Sequence, residues 1–390
     1  MSKTKIATVE KLAFGGMGIV RDGTKTVFVP FVIPGEKIKF KIIEGTKKPV
    51  MGRFIEVLES SDARREPPCG LFTKCGGCQL QHIAYKTQLK LKREIVKETF
   101  ARIAKLEMEI DRLIAGSPFN YRSRAKFRVR KNRLGFLSRG GKNFVHIKYC
   151  HIVRRELNCA LKSAEKIIEK HHPTELEFIL LRNEVYAVLK GYLSDATYKI
   201  AISNSQKIMG NWTQVLDFQP VFQQINAEQN NTLKNLVKKS TQAVKPNLAV
   251  ELFCGDGNLT DVLIPYCERV LACDVDEHAI SIARARFQKK SGKIKFFHRS
   301  AEQFLEELLN YEKRADFVLL DPPRKGAKSL VPLIARLQPQ YVFYVSCDPP
   351  TMARDIALFQ QHGYKTERVT PVDMFPQTGH IELTATLIRF

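Results

Sequence analysis

The sequence predicts an α/β protein, with a doubly wound parallel sheet in the C-terminal part and a small β-barrel at the N-terminus. Three observations lead there. From about residue 246, apolar runs alternate with helical stretches. The runs are Leu248-Ala249-Val250-Glu251-Leu252, Val270-Leu271-Ala272-Cys273, Phe317-Val318-Leu319-Leu320 and Tyr341-Val342-Phe343-Tyr344-Val345. Such unbroken apolarity fits parallel strands covered on both faces. The first run also leads straight into a glycine turn, Phe253-Cys254-Gly255-Asp256-Gly257, as at the ligand edge of nucleotide-binding sheets. Residues 1–60, finally, hold short β-prone runs between the turn signals Arg21-Asp22-Gly23 and Pro34-Gly35, the pattern of a small barrel.

A chain of 390 residues suffices for two or three domains with cores of their own. The expected divisions are residues 1–60 for the barrel, 61–205 for a central cysteine-bearing region and 206–390 for the parallel-sheet domain. The formal net charge of +23 favours a polyanionic partner, nucleic acid ahead of anionic membrane. No uncharged apolar stretch reaches the length of a membrane span, and Met1-Ser2-Lys3-Thr4-Lys5 leads into no secretory segment, so a cytoplasmic protein is expected. The cysteines number nine, an odd count, and three are clustered. That fits reduced thiols and a metal site better than a disulfide framework.

Within the barrel, strands are expected at Ile19-Val20, Val27-Phe28-Val29 and residues 38–42. Gly15-Gly16-Met17-Gly18 lacks the lysine-serine signature of a nucleotide loop and reads as a turn or bulge. Residues 84–108 read as a helix with Leu89, Ile95, Val96, Phe100, Ile103 and Leu106 in its apolar stripe. Strand-like sequence returns over about residues 121–150 and 176–190. Residues 113–155 contain twelve Lys or Arg and no Asp or Glu. Among them Arg122, Arg124, Lys126, Arg128 and Arg130 alternate with packable residues. At the period of a strand, one face would carry all five charges. Such a row repels itself unless counterions or phosphates lie against it, so a nucleic-acid backbone is expected there. The row reads phosphate and not sequence.

Cys69, Cys75 and Cys78, with Gly76-Gly77 inside the loop, are spaced to converge on one soft metal centre. A fourth ligand has to come from a distance, and Cys150, Cys159 and His82 are the candidates. The residue types alone leave zinc and an iron–sulfur cluster both open.

Asp274 closes the second strand of the parallel sheet, 19 residues after Gly255, where a carboxylate can accept from ribose hydroxyls. Asp321-Pro322-Pro323-Arg324 directly follows another strand, and prolines fix the chain where it leaves the sheet. Phe253, Gly255, Gly257, Asp274 and Asp321 are thus expected around a nucleotide-type cofactor at the strand ends. Cys347, in Tyr344-Val345-Ser346-Cys347-Asp348-Pro349-Pro350-Thr351, shares that rim. A helix expected from about Met352 would lower its thiol pKa through N-terminal amides. Glu382 opens a final apolar strand over residues 381–388, and on local grounds is either a general base or a surface carboxylate.

Together these segments resemble the S-adenosylmethionine-dependent RNA uracil-C5 methyltransferases. The closer likeness is to the branch with an N-terminal TRAM domain and an iron–sulfur cluster, which includes bacterial 23S ribosomal RNA enzymes. The resemblance covers essentially the whole chain. It is carried by Phe14-Gly15-Gly16-Met17-Gly18, by Val29-Pro30 and Pro34-Gly35, and by Phe222-Gln223-Gln224-Ile225-Asn226. Asp321-Pro322-Pro323-Arg324-Lys325-Gly326, Ser346-Cys347 with Thr351, and Asp373-Met374-Phe375-Pro376-Gln377-Thr378-Gly379-His380-Ile381-Glu382 complete it. It implies a Rossmann-like class I methyltransferase domain, an OB-like TRAM barrel and a central α+β iron–sulfur RNA-binding domain. It also implies S-adenosylmethionine as methyl donor and a [4Fe–4S] cluster on Cys69, Cys75, Cys78 and Cys150. Gln224 would contact the donor or the uracil. Cys347 would add to carbon 6 and Glu382 would remove the carbon 5 proton. The implied partner is RNA, ribosomal in preference to transfer RNA, and a monomer is expected. Two rival readings are the same chemistry on transfer RNA and a non-catalytic RNA-binding protein that kept the fold. Asp348 stands where the family commonly has Asn.

Overall fold

Three sheets carry the named strands of this computed structural model, which describes residues 4–43, 49–181, 184–191, 195–202, 208–216, 223–312 and 314–390. Residues 1–3 and Phe222, used in the sequence reading, lie outside the described residues. The first sheet has six strands, Thr4–Thr8, Lys11–Ala13, Met17–Asp22, Lys25–Pro30, Lys37–Ile42 and Val50–Glu59. It curls around Val20, Val27, Val29, Ile38 and Phe40. Gly15 and Gly16 take φ values of 88° and 80°, so the glycine cluster is the turn the sequence indicates.

The second sheet is antiparallel throughout. Its spatial order is Ile208–Val215, Ala196–Ile202, Glu184–Lys190, Glu175–Leu181, Arg124–Arg130, Arg133–Leu137, Phe144–His146. Helix Arg155–Ser163 covers one face, packing Leu157 and Ala160 with Phe127 and Phe178. Strand Ile208–Val215 pairs with Ala196–Ile202, so the division expected after residue 205 falls inside one sheet. The next unit opens with helix Ala227–Val244, capped by the Asn226 side chain.

The third sheet runs Ile294–His298, Arg269–Asp274, Leu248–Leu252, Phe317–Leu320, Tyr341–Ser346, Glu382–Arg389, Tyr364–Val372. The first five strands are parallel. Glu382–Arg389 and Tyr364–Val372 close the sheet antiparallel. Leu248–Leu252 and Phe317–Leu320 are buried at every position, as their composition demands. Strand order reverses at Leu248–Leu252, which has Arg269–Asp274 on one side and Phe317–Leu320 on the other. That reversal opens a crevice at the strand carboxyl ends.

Helix Tyr85–Ile103 does not serve the central sheet that follows it in sequence. Its Ile95, Val96 and Phe100 share a core with Ile334, Ile356 and Phe359 of the third unit. The helix stops before the 108 expected, because Lys105 takes a left-handed φ of 54°. Among the described residues no helix is long and apolar enough to cross a membrane.

Candidate active site

A pocket of about 1150 Å³ opens at that crevice. Gln224, Phe253, Gly255, Asp274, Asp321, Cys347 and Glu382 all line it, as the sequence led us to expect. Gly257 is the exception and is not among the residues that line the pocket. Its φ is 83°, and a Cβ there would fall 2.6 Å from the Phe287 ring, so this glycine serves the turn and its packing. Asp274 accepts from the Gly255 amide at 2.8 Å through one oxygen and from the Asp276 amide at 3.0 Å through the other. The turn is therefore fixed to the carboxylate expected to meet a ribose.

The floor of the pocket is acidic. Glu251 is buried within Leu248–Leu252 and accepts from Thr260 Oγ1 at 2.6 Å. Burial, then the charges of Asp321, Asp274 and Asp256, push its carboxyl up to about 8. Burial pushes Asp321 up to about 7. Glu382 is held well above the carboxylate range by burial and by Asp321 beside it. Burial is the first cause for all three, with Asp321 adding to the rise of Glu251 and Glu382, and a cationic ligand would favour their ionised forms. Sequence reasoning missed Glu251. The available signal was a single carboxylate inside a strand buried on both faces.

Cys347 is half-buried between Asp321, Glu382 and Arg324. Its thiol lies above the ordinary value, through burial first and then the Glu382 charge. Arg324 opposes this through its charge and a hydrogen bond to the thiol. The expected depression by helix amides does not occur, and the cap explains why. Helix Pro349–Gln361 begins with two prolines, which have no N–H. The next amide, on Thr351, is taken by Asp348 Oδ1 at 2.9 Å, and that of Met352 by the Asp348 carbonyl at 3.1 Å. Asp348 is thus the N-cap, a role Asn fills equally well. Arg324, which the sequence reading quoted only within its motif and gave no role, is the group that favours the thiolate.

Residues 373–379, just before Glu382, are held from several directions. Lys92 Nζ donates to Asp373 Oδ1 at 2.6 Å and to the Phe375 carbonyl at 3.1 Å. Tyr85 donates to Asp373 Oδ2, Asn226 to the Met374 carbonyl and Tyr121 to the Pro376 carbonyl. The Gln79 and Leu80 amides both reach the Gln377 carbonyl at 3.0 Å, and the Gly15 amide reaches that of Gly379 at 3.3 Å.

A second cavity, of about 390 Å³, is lined by Cys69, Cys75, Cys78 and Cys150. Among the described residues neither Cys159 nor His82 borders it. Arg122, Lys126 and Arg139 share its wall, and no carboxylate does among the described residues. Burial raises the Cys75 and Cys150 thiols and pushes Cys78 up to about 12. Among the described residues no three His, Cys, Asp or Glu side chains close on a point that would hold one ion.

The basic row behaves differently from the expectation. Alternation is present: Ala125 and Phe127 are buried, while Lys126, Arg128 and Arg130 are exposed. The neighbouring strand Glu175–Leu181 brings carboxylates across, however. Arg124 pairs with Glu177 at 2.7 Å, and Lys126 and Arg128 both pair with Glu175. Two carboxylates of the neighbouring strand thus face three of the five charges within the sheet. Arg122 turns toward the cysteine-lined cavity, and Arg130 stacks on Phe144 at 5.8 Å.

Comparison with known proteins agrees with this geometry. Residues 196–390 match the family model tRNA (Uracil-5-)-methyltransferase. An "Uncharacterized RNA methyltransferase" of Clostridium tetani is 29% identical, over 94% of this chain and 92% of its own length. One of Aquifex aeolicus is 29% identical, over 97% of both. The solved tRNA (uracil-54, C5)-methyltransferase of Pyrococcus abyssi, in complex with S-adenosyl-L-homocysteine, has the same fold. It superposes with a TM-score of 0.68 at 23% identity, over 98% of this chain and 100% of its own.

Proposed function

The chain belongs to the tRNA (uracil-5-)-methyltransferase family and is an S-adenosylmethionine-dependent RNA methyltransferase; on that premise we propose that it methylates carbon 5 of a uridine in ribosomal RNA through a covalent Cys347 adduct. The observation that carries the reading is the convergence of Cys347, Arg324, Asp321 and Glu382 in one acidic pocket. Asp274 and the Gly255 turn suit the nucleoside part of the donor, and the acidic floor suits its sulfonium and ammonium charges.

Carbon 5 of uracil is a weak nucleophile. Cys347, as thiolate, adds to carbon 6, and the carbon 5–carbon 6 double-bond electrons move to form an enolate. Arg324 favours the thiolate that begins this step. Carbon 5 then takes the methyl group, and the S–CH3 bond electrons stay on the departing thioether. Glu382 removes the carbon 5 proton, the double bond reforms and the carbon 6–sulfur bond breaks toward Cys347. Burial raises the Glu382 carboxyl and so makes its carboxylate a stronger base than an exposed one. The uridine has to be unpaired or flipped out to enter.

We further propose that Cys69, Cys75, Cys78 and Cys150 would hold a [4Fe–4S] cluster and that the first sheet is a TRAM-type barrel; the cavity these cysteines line is what favours the cluster. Its four thiols, cationic wall and lack of carboxylates among the described residues fit an anionic thiolate-bound centre. When bound, the cluster would hold the loop carrying Gln79 and Leu80 in place. Iron and zinc analysis with visible spectroscopy of anaerobically purified protein tests it, and stoichiometric zinc without iron would overturn it.

For the chemistry, Glu382→Gln should trap a methylated, denaturant-stable protein–RNA adduct, and Cys347→Ala should form none. Turnover by Cys347→Ala would end the nucleophile assignment. The family model is named for transfer RNA, which is the second reading. Nucleoside mass spectrometry of both RNA classes from a deletion strain decides between them.

A further inference from the structure

Lys92 and Asp373 form an ion pair that is closed to solvent on both sides, with side-chain exposures of 1% and 0%. Burying two charges costs several kcal/mol before their attraction is counted, so such a pair is a poor way to gain stability alone. Its place in the molecule is specific. Lys92 projects from helix Tyr85–Ile103 and spans 281 residues of sequence to reach the segment leading into Glu382. A second bond fixes the Phe375 carbonyl, and Tyr85, about two turns earlier on the same helix, holds the other Asp373 oxygen at 2.9 Å. Phe375 itself lines the reaction pocket and meets His380 edge-on at 5.5 Å.

From Asp373 to Glu382 the chain makes one excursion between two antiparallel strands. Val372 pairs with Glu382 at its base. An error in the excursion therefore moves the first residue of the returning strand. Lys92 sets two points at its start, Asp373 and Phe375, with an ammonium whose three donors suit a fixed branching contact.

We propose that Lys92 is a positioning residue for the proton-removal step, holding Asp373 and the Phe375 carbonyl so that Glu382 faces carbon 5 of the adduct. This rests on the reading of Glu382 as base and goes beyond it by assigning the control of that base to a helix outside the parallel sheet. Lys92 does not line the reaction pocket, so it acts only through the segment it holds.

The test is the fate of the covalent adduct. Lys92→Met leaves Asp373 buried and unpaired, so folding can suffer. The double variant Lys92→Met/Asp373→Leu removes both charges and keeps the site filled. In the double variant, donor affinity and the rate of adduct formation should stay within about two-fold of wild type. Resolution of the adduct should slow by roughly ten- to a hundred-fold, the scale of a misplaced reacting group. Methylated adduct should then accumulate, as in Glu382→Gln, at a melting temperature near wild type. Wild-type resolution in a folded double variant would overturn the proposal. So would a loss of turnover that appears at adduct formation. If Glu382→Gln itself traps nothing, the base reading fails; if Glu382→Gln traps and the double variant does not, only Lys92 is misassigned.

Discussion

Replacing Asp321 with Asn should make the donor-free protein more stable at about pH 8 while weakening its activity. The folded protein holds the Asp321 carboxyl at about 7 against an ordinary 3.8, because it is buried. A raised carboxyl keeps a proton that the unfolded chain releases. Its contribution is fully present below about pH 4 and is lost as pH climbs through about 7. At ~1.36 kcal/mol per pKa unit the loss is on the order of 4 kcal/mol. Glu382, raised by burial and by Asp321, adds to the trend in the same direction. The amide of the Asp321→Asn variant cannot ionise, so the variant should lose this part of the slope and also relieve Glu382. Urea unfolding without donor, from about pH 4.5 to about pH 8, measures it. Wild type and variant should coincide at the acid end and separate by a few kcal/mol at the alkaline end. Donor should narrow the gap, since its cationic charge favours the ionised pair. A variant no more stable than wild type at pH 8, with an unchanged slope, would refute the acidic-cluster account.

Arg324→Met removes the group that favours the Cys347 thiolate, so alkylation of Cys347 at fixed pH should slow several-fold and its pH profile should move upward; Arg324→Lys should recover part of the rate. Asp348→Asn keeps the cap on Thr351, so urea stability should change by less than about 0.5 kcal/mol, while loss of an anion next to Cys347 should speed alkylation. Gly379→Ala would place a Cβ 2.3 Å from the Gly15 carbonyl carbon, backbone against backbone. Destabilisation of about 1–3 kcal/mol is expected from such crowding, and limited proteolysis should show the first sheet released from the third.

The parallel sheet was legible because its strands are buried on both faces, so composition alone marks Leu248–Leu252 and Phe317–Leu320. Strand Val50–Glu59 escaped notice because only one of its ten residues is buried, which leaves little apolar alternation to read. The pocket residues at strand ends could be found for the same reason as the strands themselves. Arg324 and Glu251 needed three-dimensional neighbours. One matters through a thiol 23 residues away, the other through carboxylates from three other segments. The thiol expectation failed on a local feature that was visible: Pro349-Pro350 removes the amides that the helix would have offered.

The basic strand shows the same division more sharply. Its charges were counted correctly, but their partners, Glu175 and Glu177, lie about fifty residues on and arrive by antiparallel pairing. A charge run therefore reports on a polyanion only after the adjacent strand is known. With three of the five charges paired, this row alone does not account for the attraction implied by a net charge of +23. The modules themselves meet at the segment before Glu382. The Gln377 carbonyl is bound from the cysteine-bearing loop and that of Gly379 from the first sheet, both within five residues of Glu382. On the proposed reading of Glu382 as the base, the hydrogen bonds that join the modules and those that hold the segment before that base are therefore the same few contacts.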